Sequence, residues 1–123
     1  MNSCCTPQYD LCVNQGATYT VTFVWKVPAT TAIGSTPQPV DLTGYTASLQ
    51  IRAYPLSPTI LYDASSDLVL GGIAGTIVLT IPASATETFT WWTGVYDLLL
   101  TSAQGVSTRF IAGNVNVSPA VTP

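Results

Sequence analysis

Thr18-Tyr19-Thr20-Val21-Thr22-Phe23-Val24-Trp25 decides the fold class. Its odd-numbered positions are aromatic or apolar, and its even-numbered positions are threonine until Val24. Successive side chains of an extended chain leave on opposite faces, so this period of two predicts a half-buried strand. Tyr19, Val21, Phe23 and Trp25 are expected to face a core. The same period returns further along. Leu49 and Ile51 alternate with Ser48, Gln50 and Arg52 inside the segment from Thr46 to Tyr54. Ile77, Leu79 and Ile81 alternate with Thr76, Val78 and Thr80 until Pro82 stops the ladder. A short strand is expected from Ile60 to Asp63, closed by Ser65-Ser66-Asp67. The last pair runs from Val95 to Ser102 and from Ser107 to Val117, with Gly105 supplying the positive φ of a short hairpin loop. Gly71-Gly72 and Gly75 read as a bend or hairpin.

No long helix is legible. Ser84-Ala85-Thr86-Glu87 has the spacing of a capping box and predicts a single helical turn before Phe89. Short strands divided by turn residues give an all-β chain, an antiparallel sandwich or barrel. Pro28 to Pro39 holds three prolines with Gly34 and Ser35 and is expected to be an exposed loop. The predicted organisation is an N-terminal cysteine-containing arm over 1–14, one β-sandwich domain over 15–118 and a tail over 119–123. Val95 to Leu100 is apolar on both parities, which predicts a strand whose second face is covered by the Pro28–Pro39 loop or by another subunit.

Composition narrows the function. The 123 residues include three basic and six acidic side chains and no histidine, a formal charge of −3. Charged residues make up 7% of the chain, against roughly 25% in ordinary soluble domains. Nineteen threonines and ten serines take their place. Three scattered cations cannot neutralise a run of phosphates, so no nucleic-acid partner is expected. The absence of histidine removes His-based triads, His metal ligands and the usual base near neutrality. No apolar run approaches the ~18–20 residues of a spanning helix, so no membrane partner is expected. Met1-Asn2-Ser3-Cys4-Cys5 has neither the basic nor the apolar part of a secretion signal, which predicts synthesis in a cytoplasm.

Catalytic and metal constellations are sparse. Asp63 and Asp67 form the one close pair of acids and read as turn formers, as does Asp41 before Leu42-Thr43-Gly44. Serines and threonines lack a base to activate them. No cofactor, catalytic residue or metal ligand set is expected, and an enzyme is not. Cys4, Cys5 and Cys12 match no zinc spacing. They stand open between free thiols, a disulfide from Cys12 to Cys4 or Cys5, and a site shared between symmetry-related copies. Asp97 is expected to pair structurally with Arg109 or Arg52. Trp91 and Trp92 should point to opposite faces, one into the core and the other toward a partner, a loop or a ligand such as a sugar ring. Cys4, Cys5, Cys12, Trp91 and Trp92 are the candidate interface residues.

Five motifs occur in order: Gln15-Gly16-Ala17-Thr18-Tyr19, then Asp41-Leu42-Thr43-Gly44-Tyr45-Thr46-Ala47 before Gln50-Ile51-Arg52, then Gly94-Val95-Tyr96-Asp97-Leu98. Gly105-Val106-Ser107-Thr108-Arg109 and Gly113-Asn114-Val115-Asn116-Val117-Ser118-Pro119 follow. Their order and spacing, over roughly residues 14 to 122, resemble small β-sandwich proteins of tailed bacteriophages that serve as virion structural, tail- or baseplate-associated components. That resemblance implies an immunoglobulin-like sandwich of about seven strands with no catalytic residues. It implies a virion location and other virion proteins as partners in a symmetric multi-copy assembly, in the tail or baseplate as an assembly or fibre-adaptor part. It also implies that Leu42 plugs the core, that Gly44 and Gly94 permit bends, and that Arg52, Asp97 and Arg109 cross-link the central strands. The cysteine-bearing start, the Pro28–Pro39 loop and the uncharged end Ala120-Val121-Thr122-Pro123 depart from the pattern. A capsid-decorating or neck protein and a host-surface carbohydrate-binding module are the alternatives.

Overall fold

The computed structural model describes residues 6–28 and 37–121. Ten strands form in chain order: β1 (Leu11–Asn14), β2 (Tyr19–Val24), β3 (Lys26–Pro28), β4 (Pro37–Pro39), β5 (Thr46–Arg52), β6 (Ile60–Asp63), β7 (Leu68–Leu70), β8 (Thr76–Ile81), β9 (Thr93–Thr101) and β10 (Ser107–Ser118). They build a five-stranded sheet in the order β1-β10-β9-β5-β6, a three-stranded sheet β2-β8-β7 and a two-stranded ribbon β3-β4. All neighbours are antiparallel except β1, which runs parallel to β10. The chain is an all-β sandwich, as its period-two pattern predicts.

The core lies between the inner faces of the two sheets. Leu49, Ile51, Tyr96, Leu98, Leu100, Ile111, Val115 and Val117 come from one side, and Phe23, Ile77, Leu79 and Ile81 from the other. Each inward residue alternates with a more exposed one, which is the burial signature of strands covered on one face. Leu42 is buried beneath the turn that enters β5, and the carboxylate of Asp41 shapes that turn by accepting from the Thr43 N–H at 2.9 Å and from its hydroxyl at 2.6 Å. Gly44 sits there at φ 82°, a conformation that costs glycine little. Asp63 acts likewise, accepting from the Ser65 N–H. At the far hairpin, Gly105 at φ 85° turns β9 into β10.

Several expectations need correction. The two sheets hold eight strands, in keeping with a sandwich of about seven; β1 and β7 are too short to show a period. Of the arm expected over 1–14, the described part from Thr6 onward packs on the sandwich: Leu11 and Val13 are fully buried in β1, and Tyr9 donates its N–H to the Ala112 carbonyl. Both ends of the Pro28–Pro39 loop pair as the β3–β4 ribbon, and the stretch 29–36 lies outside the described residues. The helical turn spans Ala83–Thr86 and starts one residue before Ser84, after Pro82, with no side-chain cap. Pro82 already presets the backbone angle there, so the capping box is not used. Thr86 is instead a buried tie, accepting from the Gly16 N–H at 3.0 Å and donating to the Ala17 carbonyl at 2.9 Å. Gly94 makes no bend. A Cβ there would stand 3.0 Å from the Arg52 carbonyl oxygen, so glycine allows β5 and β9 to approach. The tail expected from 119 is held at its start, where the Ala120 N–H donates to Gln15 Oε1.

One irregularity rearranges a whole strand. The register of β10 against β9 skips between Arg109, opposite Leu99, and Ile111, opposite Leu98. Phe110 is the extra residue of a β-bulge. In an unbroken ladder through the same residues, Arg109 would share the parity of Ile111, Val115 and Val117 and point into the core. With the bulge, Arg109 turns outward while Phe110 packs inward, 5.7 Å from Trp25 and 6.3 Å from Phe23 between ring centroids.

Candidate interaction surface

The outward bulge position of Arg109 brings it to Asp97. Its Nε lies 3.1 Å from Asp97 Oδ2, with both side chains about half exposed. Arg52 does not join them. It stands opposite Val95 on β5, donates to Gln50 Oε1 at 2.8 Å and to the Ser57 carbonyl, and braces the β5–β6 loop. The three charges are therefore two separate local devices, and the cross-link of the central strands is one ion pair between β9 and β10.

Trp91 and Trp92 divide as their adjacency requires. Trp91 is half-buried, its ring 4.8 Å from Phe89 at 30°, and Phe89 in turn meets Tyr62 edge-on at 5.2 Å. Trp92 is 48% exposed. Its carbonyl accepts from the Val117 N–H, which fixes the backbone but leaves the indole to solvent. Arg52 lies opposite Val95, and Asn116 opposite Thr93. Trp92 therefore sits at the same end of the five-stranded sheet as the β5–β6 loop. That loop displays Tyr54 and Leu56, the latter 97% exposed and at φ 64°. A leucine in the left-handed region, turned wholly to water, is an uncommon conformation maintained at a loop tip. Ile60 is exposed where β6 begins. Sequence reading found Trp92 but not Tyr54 or Leu56. No periodicity marks a loop tip, and Pro55 and Pro58 were the only available signs of one.

Cys12 is exposed on β1 and free, while Cys4 and Cys5 lie outside the described residues. Val95 and Leu99, on the outer face of β9, are half-buried, and the two-faced pattern of that strand ends in a partly open surface. An open depression of about 470 Å³ is lined by Val24, Trp25, Lys26, Thr108, Arg109 and Phe110, where β2 ends and β10 begins. Among the described residues, no three His, Cys, Asp or Glu side chains converge. Every buried side-chain nitrogen or oxygen described has a hydrogen-bond partner. Among the described residues, no helix is long and apolar enough to cross a membrane.

The phenols are the groups most perturbed. Burial pushes Tyr19 up to about 12, and the neighbouring Tyr9 and Cys12 add to it. Tyr96 is raised by burial while its hydroxyl donates to the Tyr9 carbonyl, fastening the N-terminal segment to the sheet. Tyr62 is raised by burial and by the carboxylate of Asp67, to which it donates. Each is a structural phenol held neutral by its surroundings.

No protein-family model matches this chain, and no curated protein matches it.

Proposed function

We propose that this chain is a non-enzymatic structural module that works through protein–protein contact in a multi-copy assembly, and that the assembly is the tail or baseplate of a tailed bacteriophage. The observation that carries the contact role is the apolar end of the sandwich, where Tyr54, Leu56, Ile60 and Trp92 are all exposed. Large exposed apolar groups gathered at one end of a domain mark contact sites, with aromatic side chains the usual anchors. The virion assignment rests on the resemblance of the ordered motifs. The all-β sandwich, with β10-β9-β5-β6 in one sheet and β2-β8-β7 in the other, is compatible with it.

The test is mass spectrometry on purified particles separated into heads and tails. A copy number in tails that is a multiple of three or six supports the reading. Hundreds of copies in heads would move the chain to capsid decoration, and absence from particles would end the virion assignment. One feature favours a second reading, a carbohydrate-binding module: the exposed Trp92 indole can stack on a sugar ring. That reading requires saturable binding to cell-surface glycan, lost in Trp92→Ala.

A further inference from the structure

Among the described residues, four strands end the two sheets: β1 and β6 in the larger, β2 and β7 in the smaller. Such edges present unpaired backbone groups, and proteins ordinarily blunt them by shortness, charge, proline or a bulge. β7 has three residues and lies between Asp67 and Gly71. β6 has four, ends on Asp63 and has a register shift against β5. β1 has four and follows Asp10, whose carboxylate accepts from the Asn114 N–H at 2.9 Å. β2 differs from all three. Its six residues contain no charge and no proline, and its register with β8 runs from Tyr19 to Val24 without a break.

The missing partner of an edge is an extended strand, because what is unpaired is backbone N–H and C=O. The side chains narrow it further. Thr20, Thr22 and Val24 are exposed on the outer face. The rows beside them are Thr80, Val78 and Thr76 of β8, also uncharged. This face has no charge with which to select a charged partner, and none that would repel its own copy. Antiparallel pairing of β2 with itself also keeps parity. With Val21 opposite Val21, Thr20 meets Thr22; with Thr22 opposite Thr22, Val21 meets Phe23. Both registers keep Tyr19, Val21 and Phe23 on the core side and the threonines outside.

We infer that the β2 edge pairs antiparallel with the β2 edge of a second copy of this chain, joining two three-stranded sheets into one continuous sheet across a two-fold axis. The contact is isologous and closed, so it yields a dimer and not an open fibre. It deepens the multi-copy reading above by naming one contact of the assembly, but it stands on the strand edges alone.

Native mass spectrometry and sedimentation equilibrium on the full chain test it. The wild type is expected as a dimer. Thr22→Lys and Thr22→Glu are each expected to weaken association at least about tenfold, because like charges at 22 face each other directly when Thr22 is opposite Thr22 and lie on a cross-strand diagonal when Val21 is opposite Val21. Their far-UV circular dichroism and melting should stay as in the wild type. Mixing the two variants should restore a dimer containing one of each, which a folding defect cannot produce. A wild type that remains monomeric to about 100 μM, a Thr22→Lys variant that dimerises like the wild type, or a mixture that stays monomeric would overturn the inference. Any of these leaves the virion reading to particle fractionation, where absence from particles would leave the dimer untouched.

Discussion

The outer face of the five-stranded sheet carries Gln50, Arg52, Asp97 and Arg109, side chains that bond to one another or to a nearby carbonyl. The outer face of the three-stranded sheet carries Thr20, Thr22, Thr76, Val78, Thr80 and Val69 and no charge at all. One sheet occupies its polar groups locally, while the other leaves a neutral surface ending in a regular open edge. In a chain with nine charged residues, their placement is informative. Asp41, Arg52, Asp63, Asp97 and Arg109 stand where the fold orients a strand or holds a turn, and no charge lies on the outer face of the sheet whose edge is unguarded. Low charge is thus a regional property of this domain, and the region without charge is the one best suited to a second copy.

The largest effect is expected from the ring of Phe110. Deleting the residue makes Arg109 and Ile111 neighbours, which a regular strand sends to opposite faces, so Arg109 stays opposite Leu99 and Ile111 opposite Leu98. The deletion and Phe110→Ala both lose the ring contacts to Trp25 and Phe23, and each is expected to cost about 1–3 kcal/mol. A deletion variant that no longer melts cooperatively while Phe110→Ala does would mean that the bulge itself, and not the ring, is what the sheet needs.

Gly113→Ala should do intermediate damage to the larger sheet alone. A Cβ there would lie 2.2 Å from the Tyr9 carbonyl oxygen, the acceptor of the Tyr96 hydroxyl. The segment Thr6–Asn14 must then lift from β10, at a cost of about 1–3 kcal/mol. Hydrogen exchange should show loss of protection in β1 while β2, β8 and β7 keep theirs. Uniform loss would mean that the N-terminal segment is not a separable layer of the sheet.

Much of this was legible in the sequence, and what was not has physical reasons. The strands β2, β5 and β8 were visible because a strand half-covered by a core imposes period two on its residues, and β9 and β10 because Gly105 divides two extended runs. The turns at Asp41 and Gly105 were visible because their geometry selects residue type. β1 and β7 were hidden, since three or four residues cannot establish a period. The bulge was hidden because Arg109 and Ile111 share a parity, and only pairing with β9 reveals the skip. Of the candidate surface, Trp92 was found through its adjacency to Trp91. Leu56 was not, because its exposure depends on a loop conformation that no spacing encodes.

The phenols sharpen the contrast on the pH axis. Tyr19, Tyr62 and Tyr96 all have raised pKa values in the folded chain, so the fold favours their neutral forms. Stability from this source is complete below the ordinary phenol value of 10.0 and is lost as pH rises toward about 12 for Tyr19. Asp41 and Asp63 are shifted the other way, lowered by hydrogen bonds from Thr43 and Ser65. Their contribution is complete above the ordinary carboxylate value of 3.8 and fades as acid protonates them. Melting temperature should therefore be flat across neutral pH and fall at both extremes. On the alkaline side, phenolate absorbance should rise together with unfolding. Phenolate appearing well before any loss of structure would show that these hydroxyls are open to solvent.

The smallest effect belongs to the most conspicuous interaction. Asp97 and Arg109 make a well-formed pair, yet both side chains are about half exposed, and pairs of this kind contribute about 0–1 kcal/mol. A double-mutant cycle with Asp97→Asn and Arg109→Gln is expected to return a coupling within that range, shrinking further in salt. A coupling well above about 1 kcal/mol would mean that the pair is shielded in solution, and hence that something covers the outer face of the larger sheet. A small coupling has the opposite meaning. The pair then acts mainly to keep Arg109 outside on the β10 side of the bulge, and the neutral sheet remains the face with nothing to hold it apart from its own copy.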